Sequence, residues 1–261
     1  MTRVDRIELS YELAFQTPFH CGTGLRTGLI DRAVVRDTAG YLYVPGSSIK
    51  GALRMHCEGL SCLYEQIDTE VQEHIDSPHD TKMALWGMGN RITMVTRIFG
   101  SQSHPGRLFF DDARQSEEDQ RQYDSRERGG KGKYQRLQTD LYTQVRLDRH
   151  TRTAVAGALY TSEFGTRDIV FQGNIVGWLE CTPIEDLPNK PTYSLLLLLA
   201  GLHALERLGG NRSTGKGRCR CNITQLFIEG EHYIEEQWKS WVDHLDKLSS
   251  YPLLAENPEE V

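Results

Sequence analysis

A glycine-rich, basic stretch at residues 209–218 has the composition of a phosphate-binding loop, Gly-Gly-Asn-Arg-Ser-Thr-Gly-Lys-Gly-Arg. A nucleotide-binding P-loop needs Ser or Thr after its Gly-Lys pair and leads from a strand into a helix. Here Gly217 follows Lys216, while an apolar helical run at 193–208 precedes the loop and a strand-like run at 220–228 follows it. Glycine lets backbone N–H groups approach an anion, and the basic side chains add charge. The loop is therefore predicted to hold a nucleic-acid backbone rather than ATP.

A second candidate anion site lies at the predicted start of a helix. Ser47 is predicted as the N-cap with Ser48 beside it, so hydroxyls and free backbone N–H groups converge there. Lys50 and Arg54, four residues apart, add positive charge on one helical face. The Ser-x-x-Lys spacing also matches a motif of penicillin-binding enzymes, but the partner motifs Ser-Asp-Asn and Lys-Thr-Gly are absent. A capped helix with a solvated basic side is the other alternative.

Asp31 is the candidate for catalysis. It lies between a glycine-rich loop and a predicted strand, beside Arg26 and Arg32. A carboxylate at this position could recruit magnesium or position an attacking hydroxyl near a phosphodiester. For an isolated loop aspartate, turn formation or solvation is the alternative role.

The elements that must position these residues begin with a strand. Residues 7–15 alternate apolar with polar or small side chains, which is typical of a half-buried strand. The next predicted elements, in chain order, are a hairpin at 33–44, a helix from Ser47 toward Gln66, a helical insertion at 67–92 and a strand at 106–111.

The second half of the chain repeats this order after a polar insertion. Residues 115–141 are almost wholly polar, which predicts a flexible insertion. Strand signals at 143–157 and 167–180 precede the helix at 193–208 and the strand at 219–228. Without the insertions, the order strand, helix, strand, strand, helix, strand predicts an α+β, ferredoxin-like fold with two helices on one face of an antiparallel sheet. The RNA recognition module shares this topology, although its aromatic signature is missing here.

The net charge of -6 is concentrated toward the C-terminal end. Residues 229–261 hold nine of the 36 acidic residues and two of the 30 basic ones, so residues 1–228 are close to neutral. A helix near 235–248 is predicted in this acidic extension, with its tryptophans packed inward. The six cysteines form no C-x-x-C pair, and neither an apolar signal core nor an apolar run of membrane-spanning length is found. A cytoplasmic protein without a membrane partner is expected.

Four sequence blocks occur in an order shared with one family. They are Phe19-His20-Cys21-Gly22 running into residues 28–37, residues 44–54, residues 97–100 with 106–113, and the loop at 209–218. With residues 142–149, which are similar to the start of the family's thumb, they cover most of residues 4–228. In these blocks the chain resembles the repeat-associated mysterious protein (RAMP) superfamily, and within it the backbone subunit of type III CRISPR effector complexes.

The resemblance implies a RAMP domain at 1–228, with a β-hairpin thumb at about 143–177 and a flexible insertion at about 115–141, followed by an acidic extension at 229–261. It also implies binding of guide RNA (crRNA) and target RNA, and assembly with other effector subunits, including copies of itself or homologous RAMP subunits. The RNA-binding candidates are His20, Ser47, Ser48, Lys50, Arg54, Arg149, Gly209, Gly210, Arg212, Lys216 and Arg218.

The resemblance gives Asp31 a role as the target-cleaving aspartate and Asp37 a role as a structural turn acid. It implies a metal-dependent endoribonuclease in antiviral defence, with Mg²⁺ or another divalent cation bound by Asp31. Two alternatives stay open: a catalytically silent RAMP scaffold, and a RAMP endoribonuclease that processes guide precursors without metal, for which His20 is the candidate. The glycine loop departs from the family's pattern at Thr214, where relatives usually have arginine.

Overall fold

A computed structural model describes residues 3–64, 93–101, 104–127 and 138–251. The helical insertion predicted at 67–92 lies outside the described residues. The strands are β1 (Arg3–Phe15), β2 (Tyr43–Val44), β3 (Leu108–Phe110), β4 (Ala113–Gln115), β5 (Thr139–Leu147), β6 (Ala154–Gly165), β7 (Val170–Cys181), β8 (Cys219–Ile228) and β9 (Glu231–Tyr233). The α-helices are α1 (Gly46–Tyr64), α2 (Met94–Phe99), α3 (Glu117–Glu127), α4 (Tyr193–His203) and α5 (Glu235–Val242), and two 3-10 helices span Arg212–Thr214 and Leu245–Ser250.

The central sheet is antiparallel, in the order β2-β4-β7-β1-β8-β9, with β3 also paired to β7. Leu9 of β1 lies opposite Ile175 on one side and Leu226 on the other, and all three side chains are buried. The six elements β1, α1, β3, β7, α4 and β8 follow the predicted order. The expected α+β fold with an antiparallel sheet is therefore confirmed.

Helix α4 forms the centre of the core. Its five consecutive leucines, 195–199, are at most 1% exposed, because the sheet, α1 and the C-terminal segment enclose the helix. Thr192 caps its first turn by accepting a hydrogen bond from the backbone N–H of Leu195 at 3.2 Å. A Cβ at Gly201 would lie 2.5 Å from Cys57 Sγ, so glycine permits the close approach of α1.

The hairpin formed by β5 and β6 is a separate two-stranded sheet whose limits differ from the predicted thumb. It covers residues 139–165 rather than 143–177. The reason is that β7 pairs with β1 from Val170 to Cys181, with Phe171, Ile175 and Leu179 turned into the core. The alternation that predicted a thumb strand thus belongs to the central sheet.

The insertion predicted to be flexible at 115–141 contains ordered elements. Gln115 ends β4 and is buried, and α3 follows directly. Ser116 accepts a hydrogen bond from the N–H of Asp119 at 3.3 Å, and the first turn of α3 is acidic, which suits a helix N-terminus. Residues 128–137 lie outside the described part of the chain. A polar composition therefore did not prevent local helix formation here.

The C-terminal extension packs onto the domain rather than standing apart from it. β9 pairs with β8, and Trp238 and Trp241 are 5% and 1% exposed, which confirms their predicted packing role. Trp241 Nε1 donates to the carbonyl of Pro188 at 3.0 Å. Helix α5 ends at Val242, before the predicted end near residue 248. Among the helices described, none combines the length and apolarity needed to cross a membrane.

Candidate nucleic-acid interface

The first half of the glycine loop is packed against the backbone at His20. Gly209 has φ +88°, and a Cβ there would lie 2.6 Å from the carbonyl oxygen of His20. The N–H of Gly210 donates to that same oxygen at 2.8 Å. The glycine pair therefore provides close packing within the protein, whereas the sequence had suggested that these N–H groups would face an anion.

The second half of the loop is held in the same way. Gly217 donates to the carbonyl of Pro18 and accepts from the N–H of Leu208, both at 2.8 Å. At φ +71°, a Cβ on Gly217 would lie 2.1 Å from the carbonyl oxygen of Leu208. Between these fixed ends, residues 212–215 are exposed and form a 3-10 turn. The tip of the loop is thus the part available to a ligand.

His20 lies inside this junction and is 6% exposed. Its Nδ1 is 2.7 Å from the carbonyl oxygen of Glu163, and its ring packs near Phe164. Burial lowers the pKa of His20, the hydrogen bond to Glu163 opposes this, and nearby Arg32 lowers it further. The neutral ring therefore joins the glycine loop to β6 instead of projecting toward solvent.

Asn211 is a site residue that the sequence analysis did not select. Its backbone is left-handed at φ 61°, and its Oδ1 accepts a hydrogen bond from Arg32 Nη1 at 3.1 Å. Arg32 also donates its backbone N–H to Thr161 of β6 at 3.2 Å. The sequence signal that could have found Asn211 is its place after two glycines, since asparagine is one of the few residues that tolerate this conformation.

Basic side chains of the loop reach two neighbouring elements. Lys216 Nζ lies 4.1 Å from the ring centroid of Tyr142 and 5.2 Å from that of Phe164, at the base of the hairpin. Arg212 Nη1 lies 3.9 Å from Met55 Sδ on α1. Arg218 is exposed where the loop enters β8. The structure thus places Lys216 against the base of the hairpin and Arg212 against α1, and the sequence analysis missed the aromatic partners of Lys216.

The predicted cap of α1 is wrong in detail. The helix begins at Gly46, so Ser47 lies inside its first turn and is exposed. The N–H of Gly46 donates to Asp112 Oδ1 at 2.8 Å, and the carbonyl of Pro45 accepts from Ser48 at 2.9 Å. One N–H group of this helix start, that of Gly46, is therefore already bound to a carboxylate of the protein.

The remaining predicted cations have different environments. Arg54 donates to Glu58 at 3.0 Å and to the carbonyl of Gly100 at 3.2 Å, so its guanidinium is bound to groups of the protein itself. Lys50 is half-buried with Nζ 5.8 Å from the Phe110 ring, and burial followed by the charge of Arg54 lowers its pKa. Arg149 is exposed in the turn between β5 and β6, at the opposite end of the hairpin from Lys216.

Asp31 follows a tight two-residue turn. Thr27 and Ile30 exchange backbone hydrogen bonds of 2.9 and 3.0 Å around Gly28, whose φ is +59°. Asp31 donates its N–H to the carbonyl of Thr161 and accepts the Thr161 N–H at Oδ2, each at 2.9 Å. These two bonds hold the Asp31 carboxylate against β6 and leave its side chain 26% exposed.

The other Asp31 oxygen, Oδ1, is 2.9 Å from Arg26 Nη2. Within the described residues, no group of three or more His, Cys, Asp and Glu side chains could hold a metal. Mg²⁺ commonly binds through one or two carboxylates together with substrate phosphates and water. Asp31 fits a divalent cation only in that sense, as a single protein ligand beside a bound phosphodiester.

Glu163 connects the segment that follows Asp31 to His20 at the glycine loop, and the sequence analysis did not select it. Its carboxylate accepts the N–H of Val34 at 3.0 Å and pairs with Arg36 at 2.7 Å, while its carbonyl faces His20. Burial raises the pKa of Glu163, but the hydrogen bonds from Val34, Arg36 and Thr139 outweigh it, so the pKa is lowered overall. Residue 163 lies between the strand signals at 143–157 and 167–180, so no predicted element marked it.

Asp37 has the structural role that was expected of it. Its Oδ1 accepts the backbone N–H groups of Ala39 at 3.0 Å and Tyr41 at 2.9 Å. This is the geometry of an Asx turn. Of the two aspartates in the segment, Asp31 is thus the one that faces the hairpin.

Comparison with known proteins agrees with this geometry. The RAMP superfamily matches residues 12–220. The chain is 24% identical over 268 residues to "CRISPR system Cms endoribonuclease Csm3" of Methanocaldococcus jannaschii, covering 95% of this chain and 92% of the relative. A chain of the cryo-EM structure of the Type III-B Cmr-beta bound to cognate target RNA shares the fold at a TM-score of 0.50 and 13% identity, covering 83% of this chain and 96% of that one. Since the family match runs from within β1 to within β8, the protein belongs to the RAMP superfamily.

Proposed function

We propose that this protein is the guide-RNA-binding backbone subunit of a type III CRISPR effector complex and that it cuts complementary target RNA. One observation carries the proposal: β6 supports both candidate regions. Phe164 lies beneath Lys216 of the glycine loop, and Thr161, three residues away, holds Asp31. A strand of RNA gripped at the loop would pass close to a fixed carboxylate. The relative named an endoribonuclease supports the same activity.

Guide binding would rest on the loop cations. Arg212 and Arg218 are exposed, and Lys216 lies at the hairpin base, so we infer that these three charges contact RNA phosphates. Contacts of this kind neutralise phosphates without selecting a sequence, which suits a subunit that must accept any guide. We also propose that copies of this chain or homologous RAMP subunits bind along the guide, and that the complex acts in the cytoplasm.

Cleavage would use Asp31 to orient the 2′-hydroxyl of the target nucleotide and accept its proton. The 2′-oxygen then forms a bond to the adjacent phosphorus, the bond from phosphorus to the 5′-oxygen breaks, and water protonates the leaving oxygen. The Thr161 N–H fixes the carboxylate for this role by binding Oδ2. A divalent cation, held by Asp31 and the phosphate, would neutralise charge on the phosphodiester.

The test is target cleavage by the purified effector complex containing either wild-type chain or Asp31→Asn. We expect the variant to assemble, to retain repeat-derived guide RNA and to bind target, but to lose cleavage. Cleavage at the wild-type rate would refute the catalytic role. Absence of guide RNA from the wild-type complex would refute the binding role. A wild-type complex that binds but never cuts target would indicate a silent scaffold.

A further inference from the structure

We propose that Arg26 is a second catalytic residue, whose guanidinium binds the scissile phosphate and stabilises the charge that develops on it. This inference rests on the proposed function. It begins with the turn at 27–30, in which Thr27 and Ile30 form a hydrogen-bonded pair. Arg26 and Asp31 are the next pair outward, so the turn itself places a cation beside the candidate proton acceptor.

The exposure of the two side chains separates their roles. Asp31 is held against β6 and is 26% exposed, whereas Arg26 is 79% exposed. A guanidinium has five N–H donors in a planar fork that matches phosphate oxygens. The contact between Arg26 Nη2 and Asp31 Oδ1 uses one of these five donors. The remaining donors belong to a side chain that is 79% exposed, so a target phosphodiester can reach them.

The neighbouring arginines cannot take this role, because each is already bound elsewhere. Arg32 donates to Asn211 at 3.1 Å, and Arg36 pairs with Glu163 at 2.7 Å. Arg36 also donates to the carbonyl of Gly40. Across the described stretch from residue 26 to residue 36, Arg26 is therefore the arginine whose only charged contact is the candidate catalytic carboxylate.

The chemistry requires such a group. When the 2′-oxygen bonds to phosphorus, negative charge accumulates on the nonbridging oxygens before the bond to the 5′-oxygen breaks. A fixed cationic donor stabilises that state more than the starting phosphodiester, and removal of one such donor typically costs about 100- to 1000-fold in rate. The contact with Asp31 places the Arg26 guanidinium beside the candidate proton acceptor.

The experiment measures single-turnover cleavage of a labelled RNA complementary to the copurified guide, in the assembled complex. The variants are Arg26→Ala, Arg26→Lys and Asp31→Asn, with Arg6→Ala as the matched control. Arg6 is 62% exposed and pairs with Glu8 at 2.7 Å, but it lies at the other end of β1 from His20. Target affinity and thermal stability are measured for each complex.

We expect Arg26→Ala to slow cleavage about 100-fold, with target affinity changed less than about threefold. Arg26→Lys should recover part of the rate, and added guanidinium ion should accelerate Arg26→Ala but neither Asp31→Asn nor the control. Arg26→Ala cleaving within about threefold of wild type would overturn the inference. So would a loss that guanidinium fails to restore, or one matched by a loss of affinity or stability. If Asp31→Asn is inactive in any of these cases, the proposed function still stands.

Discussion

The glycine loop and the turn before Asp31 differ in how closely their backbones pack against the rest of the protein. In the loop, Gly209 and Gly217 meet backbone atoms within 2.6 Å of where a Cβ would stand. In the turn and the segment before it, Gly28 and Gly24 also have positive φ, but nothing lies within 4 Å of their Cβ positions. The two ends of the glycine loop are therefore part of the packed structure, while the proposed chemistry is carried on an exposed turn. Side chains of the turn can be changed with little effect on folding, whereas Gly209 and Gly217 cannot be replaced without moving the backbone.

The largest effect is expected from Gly217→Ala. The left-handed backbone costs an alanine about 1–2 kcal/mol, and the Cβ would also lie 2.1 Å from the Leu208 carbonyl oxygen. The loop must then shift, so we expect a loss of more than about 3 kcal/mol in the free energy of unfolding, measured by urea denaturation.

Gly215→Ala is the matched control for that variant. It has φ +84° but no atom within 4 Å, so only the backbone cost of about 1 kcal/mol should appear. Equal losses in the two variants would mean that the close approach of Leu208 to Gly217 adds nothing to the backbone cost.

A smaller effect is expected from Glu163→Gln, which weakens the link between the two regions. Loss of the charge-assisted bonds to Val34 and Arg36 should cost about 2 kcal/mol at neutral pH. Because the pKa of Glu163 is lowered by folding, its stabilisation is complete above the ordinary value of 4.5 and is lost as the pH falls through the folded value.

The check is the difference in unfolding free energy between wild type and Glu163→Gln at pH 7 and near pH 3. The difference should shrink at the lower pH. A difference that stays constant would show that the charge of Glu163 contributes nothing to holding the hairpin against the segment at 34–36.

The start of α1 offers a third test, which decides whether it belongs to the fold or to the binding surface. Asp112→Ala removes the acceptor for the Gly46 N–H and should cost about 1 kcal/mol of stability. Ser47→Ala, in the exposed first turn, should change stability by less than about 0.5 kcal/mol. Thermal denaturation of both variants would compare them; a larger effect from Ser47 would restore it as the cap.

The smallest effect is expected from Lys216→Met. Loss of the cation–π contact with Tyr142 should cost about 0.5–1 kcal/mol. In the assembled complex, the slope of RNA affinity against salt should also fall by about one unit. Lys190→Met is the control, since Lys190 pairs with Glu185 before α4. An unchanged slope for Lys216→Met would place its charge outside the RNA contact.

Local patterns predicted much of the fold. The alternation in β1, the apolar run of α4 and the Asp37 turn depend on neighbours a few residues apart, and the structure has all three. The thumb limits failed for the opposite reason: β6 and β7 have similar strand patterns, and only pairing with β1 assigns β7 to the central sheet. Helix α3 was not predicted, because the segment that contains its cap, Ser116, was predicted to be flexible from its polar composition alone.

The sequence by itself determined the candidates: a glycine loop suited to phosphates, a basic helix start and a loop aspartate. Tertiary structure decided which of their groups are available. Arg54 is bound within the domain, and Arg32 is bound to a residue 179 positions away, whereas Arg26 projects outward beside Asp31. The physical reason is that a side chain's availability depends on partners that folding brings close, and sequence spacing does not report those distances.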